Sequence, residues 1–139
     1  MIAPSVRDAS LQHHDLYAST PAAGFPAPGD DLVEQPLDLN ELLVEHPEST
    51  FYVRVSGDSM EGARIFDGDI LVVDRAREPT TGSIVVAAVF GELVVKRLAQ
   101  RAGGFALISE QPGYEPIELL ENDDCRIWGV VAGTVRLVG

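Results

Sequence analysis

Lysine occurs once in the 139-residue chain, at Lys96; the other basic side chains are arginines. Asp and Glu number 22 against 10 Lys and Arg, which leaves a formal net charge of -12. A chain so short of cations lacks the clustered Lys and Arg that phosphate binding needs. That argues against sequence-specific DNA binding and against an anionic membrane surface. A basic protein partner stays open. Cysteine also occurs once, at Cys125. A lone cysteine closes no internal disulfide, so nothing demands an oxidising compartment, and its ordinary place is as a small buried apolar side chain. No run approaches the roughly 18 apolar residues of a membrane span. The N-terminal MIAPSVRDASLQHHDLY lacks the apolar middle of a signal peptide. A cytoplasmic location is expected. The three histidines, His13, His14 and His46, are not spaced as metal ligands. There is no glycine-rich phosphate loop, no βαβ alternation and no internal repeat. No cofactor and no metal are expected.

What is present is a chain of one-domain length, 45% hydrophobic, able to bury a real core. The stretch STPAAGFPAPGDD is rich in Pro, Gly and Ala and has no periodicity. It predicts an extended, exposed arm. PLDLNELLVEHP spaces Leu39, Leu42 and Leu43 at i, i+3, i+4, with Asp38 as N-cap, Glu41 three residues on, and Pro47 as a stop. One short helix is expected there. From residue 51 the pattern is β: FYVRV alternates, DGDILVVDRA is a turn and a buried strand, and GSIVVAAVFGELVVKRLAQ is a hairpin folded at Phe90-Gly91-Glu92. GFALIS, EPIEL and CRIWGVVAGTVRLV add further strands. The expected fold class is mainly β, a small sandwich or barrel-like domain over residues 37–139, with a flexible arm over residues 1–36.

The stretch SGDSM, residues 56–60, follows the FYVRV strand. It is either a plain turn or a serine lifted on a tight turn as a nucleophile. A nucleophile needs a base. No histidine follows Ser59, and His46 sits beside Pro47 at a helix end, where position alone supports little. The remaining candidate is Lys96, as in Ser-Lys dyads. Arginine does not deprotonate in proteins; a desolvated lysine does. In a strand, Val94, Lys96 and Leu98 share one face, so Lys96 has apolar neighbours that disfavour its ammonium form. The alternative is a lysine that snorkels from an amphipathic strand. Ala23-Gly24, inside the proline-rich arm, offers small residues on both sides of a bond that a tight cleft would admit; the alternative is an ordinary linker. For Asp58 a side-chain bond that stabilises the turn is expected, for Met60 a packing role, and for Phe66 to Asp69 (FDGD) turn chemistry.

AGFPAPGDDLVEQPLDLNELLVEHPESTFYVRVSGDSM, FDGDILVVDRA and GELVVKRL together resemble the UmuD proteins, the SOS-mutagenesis members of the LexA-related Ser-Lys self-cleaving family. The likeness runs from about residue 22 to residue 137. It implies a LexA-like C-terminal protease fold, a nucleophile at Ser59, a general base at Lys96 and a scissile bond between Ala23 and Gly24. Many UmuD proteins carry Cys before the scissile Gly; Ala23 stands here, as in LexA-type repressors. Backbone N–H groups of Asp58 and Ser59 are the expected oxyanion hole. The resemblance further implies a homodimer that docks on a RecA-coated single-stranded DNA filament, cuts itself, and then serves as accessory subunit to a Y-family translesion polymerase. A non-catalytic interaction module is the alternative. A signal peptidase is disfavoured by the missing membrane span. A repressor is disfavoured because the residues before DLVEQ are too few and too unpatterned for a helix-turn-helix.

Overall fold

The computed structural model of the protein describes residues 13–17, 33–119 and 124–138. They belong to two units, one reaching to Glu45 and the other starting at His46. In the first, His13–Tyr17 (β1) pairs antiparallel with Val33–Asp38 (β2). Neither strand follows from apolar alternation. VEQPLD even contains Pro36, which a strand accommodates where one N–H is not needed for the ladder, as in a two-stranded sheet. The helix predicted after Asp38 is present as Leu39–Leu43 (α1). Asp38 caps it by accepting the Asn40 N–H at 2.9 Å. Leu39 and Leu42 are nonetheless exposed, so the leucine spacing that reveals the helix does not mark a buried face among the described residues.

The second unit is an antiparallel sheet of seven strands: Thr50–Arg54 (β3), Ile70–Asp74 (β4), Ile84–Val89 (β5), Glu92–Arg101 (β6), Gly104–Ile108 (β7), Ile117–Glu118 (β8) and Cys125–Val135 (β9). Their order is β3-β4-β9-β5-β6-β7-β8. The mainly β class expected from the sequence is what the structure shows, and each strand read from residue 51 onward is present. The β5–β6 loop is Phe90-Gly91, both residues left-handed, as a two-residue hairpin requires.

β5 explains the core. Its run IVVAAV is apolar without alternation because both faces are covered. Val86 belongs to one buried cluster with Val55, Met60, Ile65, Leu71 and Val73. Val85, Ala87 and Val89 belong to the other with Leu98, Leu107 and Val130. β9 pairs with β4 on one side and β5 on the other, and its register slips against each, leaving an extra residue at Ala132 and at Trp128. Such bulges raise the local twist and bend the strand. The sheet curls as a result. Val53 of β3 and Val95 of β6, with three strands between them in the order, pack against the same cluster. That curl carries the end of β3 to the middle of β6.

Candidate active site

Ser59 lies on the connection that leaves β3. Val55 is tied at both ends: its N–H donates to Asp69 O and its carbonyl accepts from Gly68 N–H, each at 2.8 Å. The chain then turns at Gly57, whose φ of 96° is ordinary only for glycine and whose N–H donates to Asp67 Oδ1 at 2.9 Å. Met60 is 2% exposed and anchors the turn in the core, as its expected packing role requires. Its carbonyl accepts from Ala63 N–H at 3.0 Å and Ile65 N–H at 3.2 Å. Ser59 is held half-buried between exposed Asp58 and buried Met60. The turn bond expected from Asp58 comes instead from Asp67. The Asp58 carboxylate accepts from the Tyr114 hydroxyl at 2.6 Å. Among the described residues, the N–H groups of Asp58 and Ser59 donate to no protein acceptor.

Lys96 sits on β6 directly opposite Val85. Val94 and Leu98, two residues to either side, pack into the second cluster, as strand alternation demands. Only 8% of Lys96 is exposed. Burial disfavours the ammonium and pulls its pKa below the ordinary lysine value. Among the described residues no carboxylate lies within ion-pair distance of it. Its Nζ donates to Ser109 Oγ at 2.6 Å and stands 5.0 Å from the centre of the Tyr114 ring.

Ser59 and Lys96 line one cavity of about 480 Å³, whose walls include Val53, Val55, Val86 and Val94. In the conformation seen here the lysine is bonded to Ser109, not to Ser59. An apolar-walled cleft of this size, with a half-buried hydroxyl and a desolvated amine, suits acyl transfer to serine. Histidine and cysteine are absent from the lining, whose carboxylates are Asp58 and Glu92. The cavity thus offers none of the nitrogen or sulfur ligands typical of zinc. His46 is engaged elsewhere: its Nδ1 is 2.6 Å from Oδ2 of buried Asp74. Cys125 is half-buried against the second cluster, and burial, with Asp124 beside it, pushes its thiol pKa up. Ala23 and Gly24 lie outside the described residues.

Ser109 and Tyr114 are not evident from sequence reasoning. One signal was available for Ser109. Arg97 pairs with Ile108 across β6 and β7, so the next step of the antiparallel ladder sets Ser109 opposite Lys96. Tyr114 lies in a loop where no pattern points to the cavity.

Comparison with known proteins follows the same lines. The Peptidase S24-like profile matches residues 15–132. The chain is 44% identical to protein MucA of Escherichia coli over 120 residues, covering 84% of this chain and 80% of that one. It is 40% identical to protein ImpA of Escherichia coli over 127 residues, covering 87% and 82%. It is also 40% identical to the LexA repressor of Ectopseudomonas mendocina over 116 residues, 83% of this chain but 56% of the repressor. MucA and ImpA are UmuD-like SOS mutagenesis proteins.

Proposed function

Because the chain belongs to the Peptidase S24-like family, we propose that it is a self-cleaving serine peptidase of the SOS response that cuts itself between Ala23 and Gly24. Ser59 is the nucleophile and Lys96 the general base. The observation that carries this reading is that Ser59 and the only lysine of the chain line one cavity, with that lysine buried and free of any carboxylate among the described residues.

The chemistry proceeds in two steps. Neutral Lys96 takes the Ser59 hydroxyl proton as Oγ attacks the Ala23 carbonyl carbon. The oxyanion is received by the N–H groups of Asp58 and Ser59, whose freedom from acceptors among the described residues supports that role. The tetrahedral species collapses: the Ala23–Gly24 bond breaks, and the Gly24 nitrogen leaves with the proton held on Lys96. The Ala23 ester on Ser59 is then hydrolysed by a water that Lys96 deprotonates. Burial matters quantitatively. A lysine at its ordinary value is neutral only about once in 2,500 molecules at pH 7, so each unit of depression raises the reactive fraction about tenfold.

Following the family likeness, the reading extends to a cytoplasmic homodimer, stimulated by a RecA filament on single-stranded DNA. Its shortened form, residues 24–139, serves as accessory subunit of a Y-family translesion polymerase. The test is mass spectrometry of the purified protein after mildly alkaline incubation, with and without RecA filament, beside Ser59→Ala. The wild type should yield a fragment that begins at Gly24, faster with filament, while Ser59→Ala stays intact. A product with another N-terminus, or one formed equally by Ser59→Ala, overturns the assignment.

A further inference from the structure

We propose that the segment from Ser109 to Tyr114 is a brace that fixes the base against the nucleophile's turn, with Ser109 as the positioning residue for Lys96. The inference rests on the Ser-Lys reading above and adds a residue to it.

Five contacts made by three residues of this segment carry the proposal. Ser109 Oγ accepts from Lys96 Nζ at 2.6 Å. The next residue, Glu110, donates its N–H to the carbonyl of Ser59 itself at 2.9 Å. The Glu110 carbonyl in turn accepts the Gly62 N–H at 2.7 Å. Tyr114 reaches both sides: its hydroxyl donates to Asp58 at 2.6 Å, and its ring faces Lys96 Nζ at 5.0 Å. The brace also packs tightly on the nucleophile's turn, because a Cβ on Gly62 would come within 2.3 Å of the Glu110 carbonyl oxygen. Thus one short segment touches the base, the nucleophile's backbone, and Asp58 and Gly62 on either side of the nucleophile.

The chemistry of the contact suits a base. Lys96 hangs on a flexible four-carbon stem with large rotamer entropy. A carboxylate partner would hold it in place but would also hold it charged. A hydroxyl accepts one N–H from the ammonium or from the neutral amine alike. It therefore orients the nitrogen and leaves the lone pair of the neutral form for the Ser59 proton.

The experiment has two readouts on Ser109→Ala. The first is the pH-rate profile of self-cleavage. Its alkaline plateau should fall about tenfold or more, the cost of a misplaced catalytic group, and Ser109→Thr should recover to within about threefold of wild type. The second needs no cleavage. Because Lys96 is the only lysine, protein labelled with 13Cε-lysine gives one lysine signal, titrated here in a Ser59→Ala background. Loss of the hydroxyl acceptor should move that titration to lower pH. A simple change in basicity would then speed cleavage at neutral pH, whereas lost positioning slows it at the plateau. If Ser109→Ala does not fold, the Thr and Val variants, equal in shape and differing in the hydroxyl, carry the comparison. An active wild type with an unchanged plateau, or an unchanged lysine titration, overturns the brace. A wild type as silent as Ser59→Ala overturns the proposed function instead.

Discussion

Lys96 carries opposing demands at the scale of a single residue. In the proposed role of general base it must be buried enough to lose its proton and mobile enough to meet Ser59. Its surroundings reconcile these: valine and leucine neighbours desolvate it, while a hydroxyl and an aromatic face hold the nitrogen with no compensating carboxylate among the described residues. Lys96→Arg keeps the charge but cannot supply a base, since guanidinium stays protonated. It should cleave at least about a thousandfold more slowly than wild type, read as the first-order loss of full-length chain on gels. A variant within tenfold of wild type would show that Lys96 acts through its charge. That Ser59 and Lys96 are candidates for one site was legible in the sequence because each is marked by type, a serine on a Gly-Asp turn and a solitary lysine in an apolar strand; the structure places both in the lining of one cavity. Ser109 was not, since a serine at a strand end is ordinary and only the ladder register reveals what faces it.

Element by element, two connections hold the site in shape. The first is the turn Glu61–Ala63, set on the Glu110 carbonyl at Gly62. Gly62→Ala puts a methyl where backbone oxygen already stands, so the turn or the brace must shift. The variant should lose roughly 2 kcal/mol of unfolding free energy in urea titration and cleave more slowly. A neutral effect on both would mean that the turn yields freely. The second is the FDGD turn, where the Asp69 carboxylate, 1% exposed, accepts from Arg136 Nε at 2.6 Å and from its second nitrogen at 2.7 Å. The hydrogen bonds from Arg136, then that from the Phe66 N–H, lower the Asp69 pKa from 3.8 to about 2. A carboxyl so depressed stabilises the fold fully above pH 3.8 and loses that contribution as pH falls through about 2. Asp69→Asn should therefore be less stable at neutral pH, with a flatter fall in urea midpoint between those two values. A fall as steep as that of wild type would contradict the assignment. The FDGD turn was legible as a turn from its residue types. Its link to Arg136, 67 residues on, was not, because nothing local to either stretch encodes the pairing. The β1–β2 pair was equally hidden: HHDLY and VEQPLD lack the apolar runs and alternation by which the other strands announce themselves.

Over the whole molecule, the sheet's curl is what converts two distant motifs into one cleft. β3 and β6 are separated by three strands, yet their ends share a cavity. Such curvature depends on the β9 bulges and on the close approach at Gly129, where a Cβ would meet Val73 at 2.7 Å, and neither is written in composition or alternation. The surface at the end of β9 bears on assembly. Leu137 and Val138 are almost wholly exposed, with Val135 partly so. We propose that this apolar end contributes to the homodimer that the family likeness implies. Sedimentation equilibrium at micromolar concentration should then give twice the monomer mass, and Leu137→Asp should shift it towards monomer; a wild type that stays monomeric would count against the dimer.

The proposal that neutral Lys96 activates Ser59 is tested most directly by the self-cleavage rate of the wild-type protein as a function of pH. Below the pKa of Lys96 the rate should climb about tenfold per pH unit and then level off, with the bend below the ordinary lysine value because burial lowers it. A rate that is flat from about pH 6 to about pH 10 would contradict it.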